Sequence, residues 1–170
     1  MFVFFASLSP AHSQLTMWSP MQFSLFDDWL PKHTPGATRP KLDTVISGLR
    51  ARGITSFAIV GYCYGARSTF DYAQAQLEGL KAIAVAHPTF LQVPEDLQKL
   101  LEVGKVPLLI NSCEFDPRYP IESQKIGDEL LGDGKYTPGY KRTYWPGCTH
   151  GFAVSFGVLV YEECIYKAAA

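Results

Sequence analysis

Three observations predict an α/β domain with a mostly parallel sheet flanked by helices. Short apolar runs alternate with stretches of helical period through most of the chain. Most of the runs are apolar on both faces, as strands covered on both sides must be. One run ends in a glycine-x-cysteine-x-glycine turn that leads into small residues, a strand–turn–helix junction.

The predicted strands are Phe57–Gly61, Ala82–Ala86, Val106–Ile110 and Tyr140–Trp145. The last alternates more and carries charge, which places it near a sheet edge. Between them, Lys41–Arg52 sets Leu42, Val45, Ile46 and Leu49 on one helical face, with Gly53 as the stop. Glu95–Val103 puts Leu97, Leu100 and Leu101 on one face, and Pro94 suits its first turn. Ile121–Leu131 follows Pro120 and ends at the Gly132-Asp133-Gly134 breaker. The Ser9–Pro40 segment has no clean period and holds Pro10, Pro20, Pro31, Pro35 and Pro40. It is expected to be irregular, with one short helix near Leu25–Leu30.

The chain has 170 residues, of which 47% are hydrophobic, enough for one domain with its own core and no disulfide or metal staple. Fifteen Lys+Arg against 16 Asp+Glu, with no basic block, argue against nucleic acid as a partner. No run approaches the roughly 18 apolar residues of a membrane span. Cys63, Cys113, Cys148 and Cys164 are widely spaced, with no C-x-x-C pair, so reduced thiols and a cytoplasmic setting are expected. Phe2–Leu8 has the apolar character of a signal-peptide core, but the first basic residue is Lys32. A buried N-terminal strand fits its β-branched and aromatic content better.

Gly61-Tyr62-Cys63-Tyr64-Gly65 is a nucleophile-elbow pattern with cysteine in the serine position. A chain turning sharply from strand to helix presents the central residue at the tip in a strained conformation. The flanking glycines then approach their neighbours too closely for a Cβ. The thiol sits at the positive end of the following helix, which favours thiolate. The backbone N–H of Tyr64 is placed to meet a developing oxyanion. A thiol nucleophile needs a base, and the histidines are His12, His33, His87 and His150. His12 and His33 precede the elbow; His87 follows a predicted strand. Only His150 leaves room for an acid in the order nucleophile, acid, base. Asp116 is the expected acid, with Glu114 and Asp133 as competitors. Tyr62, Arg67, His87, Trp145 and Phe152 are candidates to line a substrate pocket, and Arg39 is a further cation for an acidic substrate.

From about Asp28 to Ala153 the sequence resembles the dienelactone hydrolase family, cysteine-dependent members of the α/β-hydrolase fold. The resemblance is carried by VGYCYGAR (Val60–Arg67), AHPT (Ala86–Thr89), PLLINSCEFD (Pro107–Asp116) and WPGCTHGF (Trp145–Phe152). It implies a partial α/β-hydrolase fold, a Cys63–His150–Asp116 triad, and hydrolysis of a small-molecule ester or lactone. It implies no metal and no organic cofactor.

Family members also carry several strands ahead of the helix at Lys41–Arg52, a second oxyanion-hole N–H, and a glutamate that partners the resting thiol. Glu78 is the first glutamate of this chain, so that residue has no counterpart. The family's arginine after the histidine falls where this chain reads Ala153-Val154-Ser155-Phe156, and the tail over 154–170 diverges. The expectation is a single domain shortened at its N-terminus and altered at its C-terminus. The alternative to an active hydrolase is an impaired relative acting as a non-catalytic or redox-sensitive thiol protein.

Overall fold

The computed structural model describes residues 2–5 and 29–154. The chain divides into two compact units, Ser9–Thr55 and Met1–Leu8 with Ser56–Ala170.

In the smaller unit a 3-10 turn, Leu30–Lys32, leads to helix α1, Pro35–Ala51. Helix α1 therefore starts before the predicted Lys41 and carries Pro40 inside it, which corrects the irregular reading of residues 35–40. Thr34 supplies the reason. Its hydroxyl accepts from the Ala37 N–H at 3.3 Å, and Pro35 stands in the first turn, where no N–H is missed. Gly53, at φ +82°, follows the C-cap, as its predicted role as a stop requires. Arg39 pairs with Asp43 at 3.0 Å, and His33 donates Nδ1–H to the Trp29 carbonyl at 2.8 Å while stacking on its ring. The helix expected near residues 25–30 falls almost wholly outside the described residues.

The larger unit is a five-stranded parallel sheet in the order β1-β2-β3-β4-β5. Its strands are β1 (Phe2–Phe5), β2 (Phe57–Tyr62), β3 (Leu80–Ala86), β4 (Leu108–Phe115) and β5 (Tyr140–Thr149). Helices α2 (Gly65–Gln74), α3 (Glu95–Val103) and α4 (Ile121–Leu131) make the crossovers. Successive right-handed crossovers in one direction lay these helices side by side on one face, and α3 packs against both α2 and α4. Phe57, Ile59, Ile83, Val85, Leu108 and Ile110 are buried from the sheet, and Phe70, Leu97, Leu100 and Leu131 from the helices. No helix among the described residues is long and apolar enough to cross a membrane.

Because the strands are parallel, their C-terminal ends share one edge. Tyr62 is level with Ala86, and Phe115 with Thr149. Cys63, His87, Asp116 and His150 are therefore the first residues beyond four successive strands, at the edge where open α/β sheets bind ligands.

Gly61 is where β2 and α2 come closest. A Cβ there would lie 2.3 Å from Thr69 Oγ1 and 2.6 Å from the Gly65 carbonyl oxygen. Gly61→Ala is expected to cost roughly 2–3 kcal/mol by overpacking. Urea unfolding, with the slope unchanged and the midpoint lowered, is the check; an unmoved midpoint would show that the elbow can open to admit a methyl group.

Candidate active site

Cys63 occupies the tip of the elbow at φ +48°, in the left-handed region that non-glycine residues seldom adopt. Two backbone bonds over-determine that conformation: the Cys63 N–H donates to the Ala86 carbonyl at 3.1 Å, and the Thr89 N–H donates to the Cys63 carbonyl at 3.0 Å. Tyr64, next in the chain, is the residue immediately before α2. The elbow, the end of β3 and the loop after it are thus tied together.

Asp116 lies beyond β4 with its side chain nearly inaccessible. Its Oδ1 accepts from the backbone N–H groups of Arg118 at 2.9 Å and Tyr119 at 3.1 Å. Gln124, buried on α4, donates to the carbonyls of Cys113 and Tyr119 at 2.9 and 3.0 Å, which fixes the loop that carries the carboxylate.

His150 reaches the same point by a register shift. Between Cys113 and Phe115 of β4 the facing strand advances from Trp145 to Thr149, and the extra residues include Gly147 at φ +75°. Glu114, the competing acid, accepts from the Gly147 N–H at 2.8 Å. It therefore braces the irregular stretch that aligns His150, while Asp133 sits in the turn after α4.

The side chains form a chain of hydrogen bonds. His150 Nδ1 is 2.8 Å from Asp116 Oδ1, and Nε2 is 3.2 Å from Cys63 Sγ. Thr89 Oγ1 lies 3.4 Å from Sγ and 3.3 Å from Nε2, bridging both. Thr89 belongs to the AHPT segment, and nothing in that stretch of sequence marks its hydroxyl as part of the site.

The electrostatics follow from the contacts. Burial pushes the Cys63 thiol up, but the hydrogen bonds from His150 and Thr89, the nearby His87 imidazole and the His150 charge outweigh burial and lower its pKa to about 5. Burial likewise disfavours the His150 imidazolium, yet Asp116 on one ring nitrogen and the thiolate on the other raise it to about 9. Asp116 is held below its ordinary value against burial by His150 and the two N–H donors. Both shifts favour the thiolate–imidazolium pair over the neutral thiol and imidazole. Cys113 makes the contrast: burial, with Asp116 beside it, pushes its thiol up to about 12. Cys63 and Cys113 are free, whereas Cys148 is disulfide-bonded, which corrects the expectation of four reduced thiols.

The other candidates separate into two groups. His87 is fully buried, with its ring 5.0 Å from that of His150 and 5.5 Å from that of Phe152, and Tyr62 lies 6.2 Å away. Phe152 and Trp145 pack with Cys113 and Cys148 behind the histidines. Tyr64 turns its ring edge-on to Phe90 at 5.8 Å. Arg67 does not join this group: Asp71 and Asp96 hold its guanidinium at 2.6 and 2.5 Å. The pair on Asp96 anchors α2 to α3, so the arginine has a structural use already.

The dienelactone hydrolase family model matches residues 20–169, a span that runs beyond residues 28–153 on both sides and takes in most of the tail read as divergent. A search of curated proteins found no match. Among solved structures, a Klebsiella pneumoniae subsp. pneumoniae protein named as a dienelactone hydrolase superposes with a TM-score of 0.66 at 20% identity. The alignment covers 86% of this chain and 62% of that one, so this chain spans less than two thirds of that protein's length. An IroE-like serine hydrolase from Shewanella oneidensis gives a TM-score of 0.48 at 18% identity, over 72% of this chain and 50% of that one. The fold is a partial α/β-hydrolase fold, and with a family model spanning most of its length the chain belongs to the dienelactone hydrolase family.

Proposed function

We propose that this protein hydrolyses a small ester or lactone with Cys63 as nucleophile, His150 as acid and base, and Asp116 as the group that orients the imidazole. The observation that carries the reading is the unbroken contact chain from Asp116 through His150 to Cys63, with a thiol at about 5 facing an imidazole at about 9.

The thiolate needs no deprotonation. Its sulfur attacks the carbonyl carbon, and the carbonyl π electrons move to oxygen as the C–S bond forms. The backbone N–H of Tyr64, at the start of α2, donates to that oxyanion. Collapse breaks the C–O bond, and the leaving alkoxide takes the Nε2 proton of His150; from a lactone it remains tethered to the acyl group. Neutral His150 then accepts a proton from water as the water oxygen attacks the thioester. The second collapse releases the acid and restores thiolate and imidazolium. Throughout, Asp116 holds Nδ1–H and so keeps Nε2 directed at the sulfur. Thr89 donates its hydroxyl to the thiolate in the resting state.

The test is to trap the thioester. Intact-mass and peptide mass spectrometry after mixing with a panel of lactones and aryl esters should find an acyl group on Cys63. Folded protein that acquires no adduct across the panel would overturn the reading.

A further inference from the structure

His87 is used by none of these steps, and its setting is unusual. It is fully buried, stands at φ +37°, and among the described residues neither ring nitrogen has a hydrogen-bond partner. Two unsatisfied nitrogens in a closed interior are costly, and such groups in a native protein call for a partner. A ligand atom of His87, Cys63 Sγ and a ring nitrogen of His150 all lie within 4.8 Å of one another.

We propose that Cys63, His87 and His150 form a three-ligand site for a borderline-soft divalent cation, Zn2+ in the first instance, and that its occupancy switches the thiol off. The donor set selects the ion: thiolate with two imidazoles suits zinc, whereas magnesium and calcium demand oxygen. The dimensions fit as well. Zinc bonds of about 2.0–2.3 Å in a tetrahedron separate ligand atoms by roughly 3.3–3.8 Å. The existing Sγ to Nε2 distance is 3.2 Å, so the site closes by moving His87 inward a little. Three protein ligands leave a fourth position for water or another small ligand. Asp116 on Nδ1 of His150 supplies the carboxylate that commonly orients a metal-binding imidazole and raises its basicity.

The site draws its ligands from the elbow and from the ends of β3 and β5, which the sheet already holds together. No folding of a loop is needed to form it. Zinc would engage the same sulfur lone pair and the same Nε2 that the proposed hydrolysis uses, so metal binding and turnover exclude each other. The binding claim rests on the geometry alone; only the inhibition rests on the hydrolytic reading.

Titration of the protein, with Cys63 kept as the free thiol and the Cys148 disulfide intact, with Zn2+ and with Co2+ as a spectroscopic probe, tests the site directly. One tight equivalent per chain is expected, with a thiolate-to-Co2+ charge-transfer band. Cys63→Ser should abolish the band, and His87→Ala should weaken Zn2+ binding at least tenfold. His87→Gln serves if the alanine variant does not fold. An absence of tight binding by folded protein overturns the proposal. So does an affinity that neither variant changes by more than twofold, since other donors then hold the metal. In parallel, ester turnover should fall in step with zinc occupancy and return with a chelator. Zinc bound by these three residues in a protein that turns over no ester would sustain the metal site while removing the hydrolytic reading.

Discussion

Cys63→Ala is expected to lower kcat/KM for a small activated ester by roughly 10⁴-fold or more, the scale on which removal of a nucleophile acts when base and oxyanion donor remain. The variant deletes only Sγ, so the elbow bonds to Ala86 and Thr89 and the positive φ are unchanged, and a folding defect is not expected. Among the described residues, the hydroxyl that hydrogen-bonds the base is that of Thr89, 3.3 Å from Nε2. Thr89 is only 2% exposed, so it has no approach to a carbonyl and does not rescue the reaction. Cys63→Ser sharpens the comparison. A serine hydroxyl does not ionise near neutral pH, so the resting ion pair disappears and His150 must act as base in the first step. Its activity should fall between those of wild type and the alanine variant. Turnover by Cys63→Ala within tenfold of wild type would remove Cys63 from the chemistry.

Much of this arrangement is legible from local sequence, for identifiable physical reasons. Phe57–Tyr62 and Leu80–Ala86 are apolar throughout most of their length because both faces of a central parallel strand are covered. Glu95–Val103 and Ile121–Leu131 are framed by proline and glycine at the predicted ends. Strand β4 is harder to read. The apolar run predicts it over residues 106–110, whereas it runs over Leu108–Phe115, where Asn111, Ser112 and Glu114 break the apolar run. Those residues pair laterally: Asn111 accepts from the Thr143 hydroxyl, and Ser112 donates to the Thr143 carbonyl while accepting from Arg142. Polar side chains satisfied by the neighbouring strand keep the ladder going, and a single strand read alone does not reveal its neighbour.

The same limit applies to the site. Chain order, and a place in the turn or loop after a predicted strand, single out Cys63, Asp116 and His150; in the structure each follows its strand directly. The roles of Thr89, Glu114 and Gln124 depend on cross-strand distances that no spacing encodes. Arg67 shows the converse error. A cation three residues past the Gly61-to-Tyr64 turn is a reasonable substrate ligand by position, but Asp96 on α3 takes it. His87 sits at a strand end like the others, yet only the packed structure exposes its two unsatisfied nitrogens.

The rate of Cys63 alkylation by iodoacetamide should reach half its plateau near pH 5, and in His150→Ala that midpoint should move to about 9 or above. The thiol's ordinary value is 9.0, burial pushes it higher, and His150 supplies the strongest opposing hydrogen bond as well as the charge. At pH 6 the thiolate fraction of the variant falls by roughly 10³-fold. A more basic thiolate is also a better nucleophile, which recovers nearly two powers of ten, so the net loss of rate at pH 6 is only roughly tenfold. The midpoint is therefore the decisive readout. Stability follows from the same pair. Unfolded, the thiol titrates at 9.0 and the imidazole at 6.5; folded, the two groups titrate at about 5 and about 9. Between pH 6.5 and 9 each state binds one proton across the pair, on different atoms, so this site gives stability no slope. Below pH 6.5 the unfolded chain takes up a proton on the imidazole while the folded thiolate still refuses one, so stability falls until about pH 5. Urea midpoints for wild type and Cys63→Ala at pH 5 and pH 7.5 isolate that contribution. The wild-type midpoint should lose more on acidification, because only it carries the thiolate that resists protonation. An alkylation midpoint near 9 in the wild type would mean that the sulfur and imidazole are not an ion pair at rest, and His150 would then have to deprotonate Cys63 within each turnover.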